Sequence, residues 1–184
     1  MTALPAAVAD LPLDEFSNCH GGILQKLDAL DTLPALLAPA AEARRIASES
    51  LEFFDSVVYE HHAEEERELF PAVLSSATRG EEHDRVQALV TQLTREHRDV
   101  EAAWERLKPH LKAIAKGHDT QLDADALAAL VAHYKGHARF EEASFLPLSK
   151  TILGRNSDHM AALGVSMHMR RALPGLMERF GHRI

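Results

Sequence analysis

Two segments 76 residues apart repeat one pattern: His61-His62-x-x-Glu65-Glu66-x-x-Leu69-Phe70-Pro71 and His137-x-x-x-Glu141-Glu142-x-x-Phe145-Leu146-Pro147. Residues four apart on an α-helix project from one face, so each His-x-x-x-Glu presents an imidazole and a carboxylate to a single point. The neighbouring apolar residues say which face that is. Leu51, Phe54, Val58, His61, Glu65 and Leu69 share one stripe; Leu127, Leu130, Tyr134, His137, Glu141, Phe145 and Leu148 share another. Polar groups therefore occupy positions at which a helix buries its core. Leaving a carboxylate unpaired there costs roughly several kcal/mol, so these groups need partners, and a metal ion is the partner that His and Glu both serve.

Spacing by threes and fours runs through nearly the whole chain. Leu13, Phe16, His20, Ile23, Leu24, Leu27 and Leu30 predict a first helix ending near Asp31, Thr32 and Pro34. A second is expected from about Ala40 to Leu74, with Pro71 bending or ending it, and Thr78, Arg79 and Gly80 separate it from a third. The third carries Val86, Leu89, Val90, Leu93, His97, Val100, Glu101 and Trp104, with a kink expected at Pro109 and an end at Gly117. A fourth starts from a cap near Asp123 and stops at Gly154, and a short helix follows from Ser157 through Met167. No sustained period-two alternation and no Asn-Gly or Asp-Gly hairpin turn signals a strand. The expected fold is all-α: an up-down-up-down four-helix bundle over residues 13–154, with an N-terminal extension at 1–12 and a C-terminal helical tail at 155–184. His20 precedes His97 by 77 residues and His61 precedes His137 by 76. Two helical hairpins related by an approximate two-fold axis then bring four histidines to one level.

Composition narrows the chemistry. A net charge of -8 over 184 residues lacks the Lys/Arg field that nucleic-acid phosphates require. No apolar run approaches the roughly 20 residues needed to span a bilayer, and no positive residue precedes the short apolar stretch at the N-terminus, so a cytoplasmic protein without a membrane role is expected. Cys19 is the single cysteine against 12 histidines. A disulfide within the chain and a thiolate cluster are both excluded, and any metal site is built from nitrogen and oxygen.

The expected ligands are His20, His61, Glu65, His97, Glu101, His137 and Glu141. Four imidazoles and three carboxylates exceed what one tetrahedral zinc takes and suit two first-row metals bridged by carboxylates. Glu65 and Glu141, from the repeated motif, are the natural bridges. Helix one has Leu24 where helix three has Glu101, so the metal held by His20 and His61 keeps an open position, facing Leu24, while its neighbour has His97, Glu101 and His137. His62 is an alternative to His61; the stripe and the repeat favour His61, leaving His62 just outside the ligand set or at the surface. His133, one turn before His137, is expected as a hydrogen-bonding neighbour. Tyr59, Tyr134, Trp104 and Cys19 read as packing residues. The competing reading is a set of buried His and Glu side chains that pair with one another without metal.

With these residues in view, the chain resembles the hemerythrin-like, or HHE cation-binding, domain family. The resemblance is carried by His20, His61-His62-x-x-Glu65-Glu66 with Leu69-Phe70-Pro71, His97 with Glu101, and His137 with Glu141-Glu142 and Pro147, over about residues 13 to 150. It implies a four-helix bundle holding two non-haem iron ions, bridged by oxo or hydroxo, that meets dioxygen, peroxide or nitric oxide. The sequence departs from the oxygen carriers of the family. Their third helix supplies two histidines where this one has His97 and Glu101, and their last helix has an Asp five after its His where this one has Glu141 at four. An anionic oxygen donor in place of imidazole favours ferric iron and lowers the reduction potential. Sensing, scavenging or redox protection is therefore expected rather than transport. A di-iron oxidoreductase turning over peroxide or nitric oxide, and an iron-handling module, stay open as alternatives.

Overall fold

A computed structural model of the protein describes residues 11–155, with side chains from residue 20 onward. The helix expected from Ser157 through Met167 and the side chain of Cys19 lie outside the described residues. Six α-helical stretches follow in order: α1 Leu11–Phe53, α2 Tyr59–Glu64, α3 Phe70–Ser76, α4 Glu81–Ala115, α5 Ala124–Phe140 and α6 Leu146–Leu153. Single π-helical stretches, Phe54–Val58, Glu65–Leu69 and Glu141–Phe145, join α1 to α2, α2 to α3 and α5 to α6. The fold is all-helical, and no strand occurs among the described residues. None of the described helices is long and apolar enough to cross a membrane.

The first helix does not end near Pro34. Instead α1 carries both Pro34 and Pro39 in its interior, and the described residues form three continuous helical runs, 11–76, 81–115 and 124–153, where four were expected. Each proline removes an N–H and frees a carbonyl one turn back. On this stretch water can take those carbonyls, of Leu30 and Ala35, since both residues are exposed. Ala35, Ala38, Ala40, Ala41 and Ala43 supply the strongest helix formers around the two breaks. Local alanine propensity therefore outweighs the stop signal.

Other boundaries follow the sequence closely. Gly80, at φ 99°, turns the chain into α4. Gly117, at φ 73°, closes that helix: its N–H reaches the Ile114 carbonyl at 2.9 Å and the next N–H, of His118, reaches Ala113 at 2.9 Å, the paired bonds of a Schellman end. The Asp123 side chain caps α5 by accepting from the Ala126 N–H at 2.9 Å. α6 ends at Leu153, with Gly154 as its cap.

The chain divides into two compact units, residues 1–46 and 47–184. In the first, Ile23, Leu24, Leu27 and Leu30 are exposed. The second contains two apolar clusters. One gathers Phe70, Val73, Val86, Leu93, Phe145, Ile152 and Leu153; the other gathers Ala47, Val100, Trp104, Leu107, Leu111 and Leu130. Along α4 the sequence passes from Leu93 in the first cluster through His97 to Val100 in the second. From α5 onward it passes from Leu130 through His137 and Glu141 to Phe145. A polar layer thus lies between two dry ones, its residues buried with them.

Candidate metal centre

Three imidazoles meet in that layer. His62 on α2, His97 on α4 and His137 on α5 each offer a ring nitrogen within 4.8 Å of the other two. The rings of His62 and His97 stack at 4.0 Å and 3°, while His137 stands edge-on to His97 at 4.9 Å and 74°. Each ring is fixed from behind by a carboxylate. Nδ1 of His62 lies 3.0 Å from Glu101 Oε1, Nδ1 of His97 lies 2.8 Å from Glu66 Oε1, and Nδ1 of His137 lies 3.0 Å from Glu96 Oε2. A carboxylate at Nδ1 places the proton there and leaves Nε2 as the lone-pair nitrogen. All three Nε2 atoms are buried, and among the described residues none has a hydrogen-bond partner.

A second group adjoins the first. His61, Glu65 and Glu141 bring one ligand atom each to within 4.8 Å of one another. Glu65 faces both groups: Oε1 lies 3.3 Å from His61 Nε2, and Oε2 lies 3.3 Å from His97 Nε2. Glu65 and Glu141 each open a π-helical stretch, closed by the Phe70 N–H on the Glu65 carbonyl and the Leu146 N–H on the Glu141 carbonyl. Proline explains both. Pro71 and Pro147 lack an N–H and crowd the carbonyls of Arg67 and Ala143, and widening the preceding turn relieves that contact. The stretch at Phe54–Val58 has no such proline, and we have no physical account of it.

The expected ligands are thus distributed unevenly. His97, His137, Glu65, Glu141 and His61 occur in the two groups, and His62 joins His97 and His137 where the sequence favoured His61. His62 is 1% exposed, which overturns its reading as a surface residue. Glu101 belongs to neither group; it reaches His62 Nδ1 and pairs with Arg98 Nη1 at 3.0 Å. His20 lies on α1 in the first unit with an exposed side chain, as does Leu24, at 60%; neither is among the grouped residues. His133 is half-buried and acts electrostatically on Glu96. The supporting roles of Glu66 and Glu96 were not foreseen. A signal existed: each adjoins a stripe residue, Glu65 or His97, about 100° round the helix, on the flank that meets the next helix.

These residues fit a cation. Three convergent lone pairs without donors among the described residues, beside the two buried carboxylates of Glu65 and Glu141, form an acceptor-rich pocket of the kind a cation fills. The model of the hemerythrin HHE cation-binding domain matches residues 11–149. The chain belongs to this family. No curated protein and no solved structure matches the chain.

Electrostatics in this hemerythrin domain reflect the crowded acceptors. Burial, then the Glu65 charge, push the Glu141 carboxyl up to about 8, and Glu65 also shares a hydrogen bond with it. Burial, then the charge of neighbouring His97, lower His62 to about 4. Burial, with Glu65 and Glu141 behind it, raises the Tyr134 phenol to about 12. Without a cation, the domain therefore holds a proton at Glu141 and a neutral imidazole at His62 around neutral pH. A bound cation would displace the first and use the second.

Proposed function

We propose that this hemerythrin domain is a non-haem di-iron protein that binds dioxygen or a related small oxidant, peroxide or nitric oxide, for sensing, scavenging or redox protection. The observation that carries the reading is Glu65, whose two oxygens face His61 in one donor group and His97 in the other at 3.3 Å each. A carboxylate so placed would help hold a metal ion on either side of it. One position draws on His62, His97 and His137; the other draws on His61, Glu65 and Glu141. His20 is kept as a further ligand on sequence register alone, while Glu101 supports His62 from Nδ1.

An iron pair held there supplies electrons and a coordination position for the small molecule. The chain's own residues set the conditions. Glu66, Glu96 and Glu101 orient the imidazoles from Nδ1. The apolar clusters above and below exclude water, which strengthens every charge interaction between them. Anionic donors at Glu65 and Glu141 would favour the ferric state of iron held there and lower its reduction potential.

Anaerobic reconstitution with ferrous iron, followed by metal counting and visible spectroscopy on adding oxygen and then peroxide, tests this. Two irons per chain with a spectrum that changes on oxygen is the expected result. Consumption of peroxide over many cycles would move the reading to a di-iron oxidoreductase. A folded protein that takes up zinc but no iron, after mis-metallation during expression is excluded, would overturn it.

A further inference from the structure

Two of the three carboxylates behind the histidines converge on one guanidinium. Arg98 donates through Nη2 to Glu66 Oε2 and through Nη1 to Glu101 Oε2, the latter at 3.0 Å. Oε1 of each carboxylate holds an imidazole, that of His97 and of His62, and Glu101 Oε1 also accepts from Arg98 Nη1 at 3.3 Å. The third carboxylate differs: Glu96, behind His137, accepts from the neutral Gln92 amide at 2.8 Å. We infer that Arg98 is a positioning residue for the metal centre, locking the rings of His62 and His97 through Glu66 and Glu101 and leaving His137 to Gln92. This rests on the metal-binding reading above.

The physical need is clear from exposure. Arg98, Glu66 and Glu101 border an open cleft of about 460 Å³. The Glu66 and Glu101 side chains are 21% and 20% exposed, while the two imidazoles they hold are buried to 1% or less. A carboxylate at a wet edge can turn toward water and release its imidazole. The planar guanidinium fork ties down the outer oxygen of both carboxylates at once, which a point-charge ammonium cannot do. It also draws charge from both, so it restrains how strongly they make the two imidazoles electron-rich. The side chain of Arg98 is 57% exposed, so replacing it leaves the core packing intact.

The test uses the full chain with Arg98→Met, which keeps the stem, and Arg98→Lys, which keeps the charge. Cobalt(II) serves as a spectroscopic probe, alongside imidazole nitrogen NMR of the metal-free protein. With Arg98→Met, the Nδ1–H signals of His62 and His97 should broaden or shift while that of His137 stays, and cobalt affinity should fall roughly tenfold. Arg98→Lys should recover one of the two signals, and the melting temperature should barely move in either variant. Unchanged His62 and His97 signals, or equal changes at all three histidines, would overturn the inference. If the unmodified chain binds neither cobalt nor iron, the metal reading fails instead, and the NMR comparison still decides whether Arg98 positions the rings.

Discussion

Glu66 Oε1 sits 2.8 Å from Nδ1 of His97, so a carboxylate at the edge of an open cleft sets the direction of a ring that is 0% exposed. Glu96 does the same for His137. Replacing either with Gln keeps the size and removes the charge. Metal affinity should fall ten- to a hundredfold, on the order seen when such outer partners are lost, with little change in helix content. Competition with a chromophoric chelator measures it. Unaltered affinity in both variants would mean that packing alone holds the rings.

His61 and His62 make separable predictions. His62→Ala removes a member of the three-histidine group, and His61→Ala removes a member of the group containing Glu65 and Glu141. On the two-metal reading proposed above, each variant should retain about one metal per chain rather than two. Metal analysis after gel filtration reads this directly. Full occupancy in His62→Ala would return the helix-two ligand to His61 alone.

Stability of the metal-free protein should fall as pH rises from 6.5 to 8. Glu141 titrates near 8 when folded, against an ordinary value of 4.5. Over this window the folded state keeps a proton that the unfolded state has released, so stability declines with pH, by about 1 to 2 kcal/mol. His62 works in the opposite direction at lower pH. Its folded value of about 4 against 6.5 means stability is lost as pH falls through that range. Urea denaturation at pH 4.5, 6.5 and 8 tests both, and saturating metal should abolish the alkaline decline by keeping Glu141 ionised throughout.

Trp104 stacks on Phe54 with ring centroids 3.8 Å apart and planes within 8°. Trp104→Ala should cost about 3 to 5 kcal/mol through lost burial and the cavity left behind. Equilibrium unfolding gives the number. A loss below about 1 kcal/mol would show that this cluster rearranges freely around the gap.

Pro71→Ala and Pro147→Ala restore an N–H that can bond the carbonyl four residues back. The π-helical stretches beginning at Glu65 and Glu141 should relax toward α-geometry and shift those carboxylates. We expect thermal stability to hold or rise in the metal-free protein while metal affinity falls. Melting curves with and without metal separate the two effects.

Local rules carried far. Helix character, the Asp123 cap, the Gly117 end and the burial of His97, His137, Glu65 and Glu141 were all legible, because a 3.6-residue period and capping chemistry depend only on near neighbours. Pro34 misled for the same reason. A proline is a stop signal only where nothing nearby favours helix strongly, and the alanines after it did.

What the sequence by itself determined is the helical character, the ends at Gly80, Gly117, Asp123 and Gly154, and the inward face of α4 and α5. What only the tertiary structure decided is how those residues divide their work. Adjacent positions such as His61 and His62, or Glu65 and Glu66, differ by about 100° around a helix, and both flank the same seam. Which one meets which partner depends on where α4 and α5 pass, and on turns widened by nearby proline. Glu101 illustrates it: spacing aimed it at the same point as His97, and the neighbouring helix offered His62 Nδ1 at 3.0 Å instead.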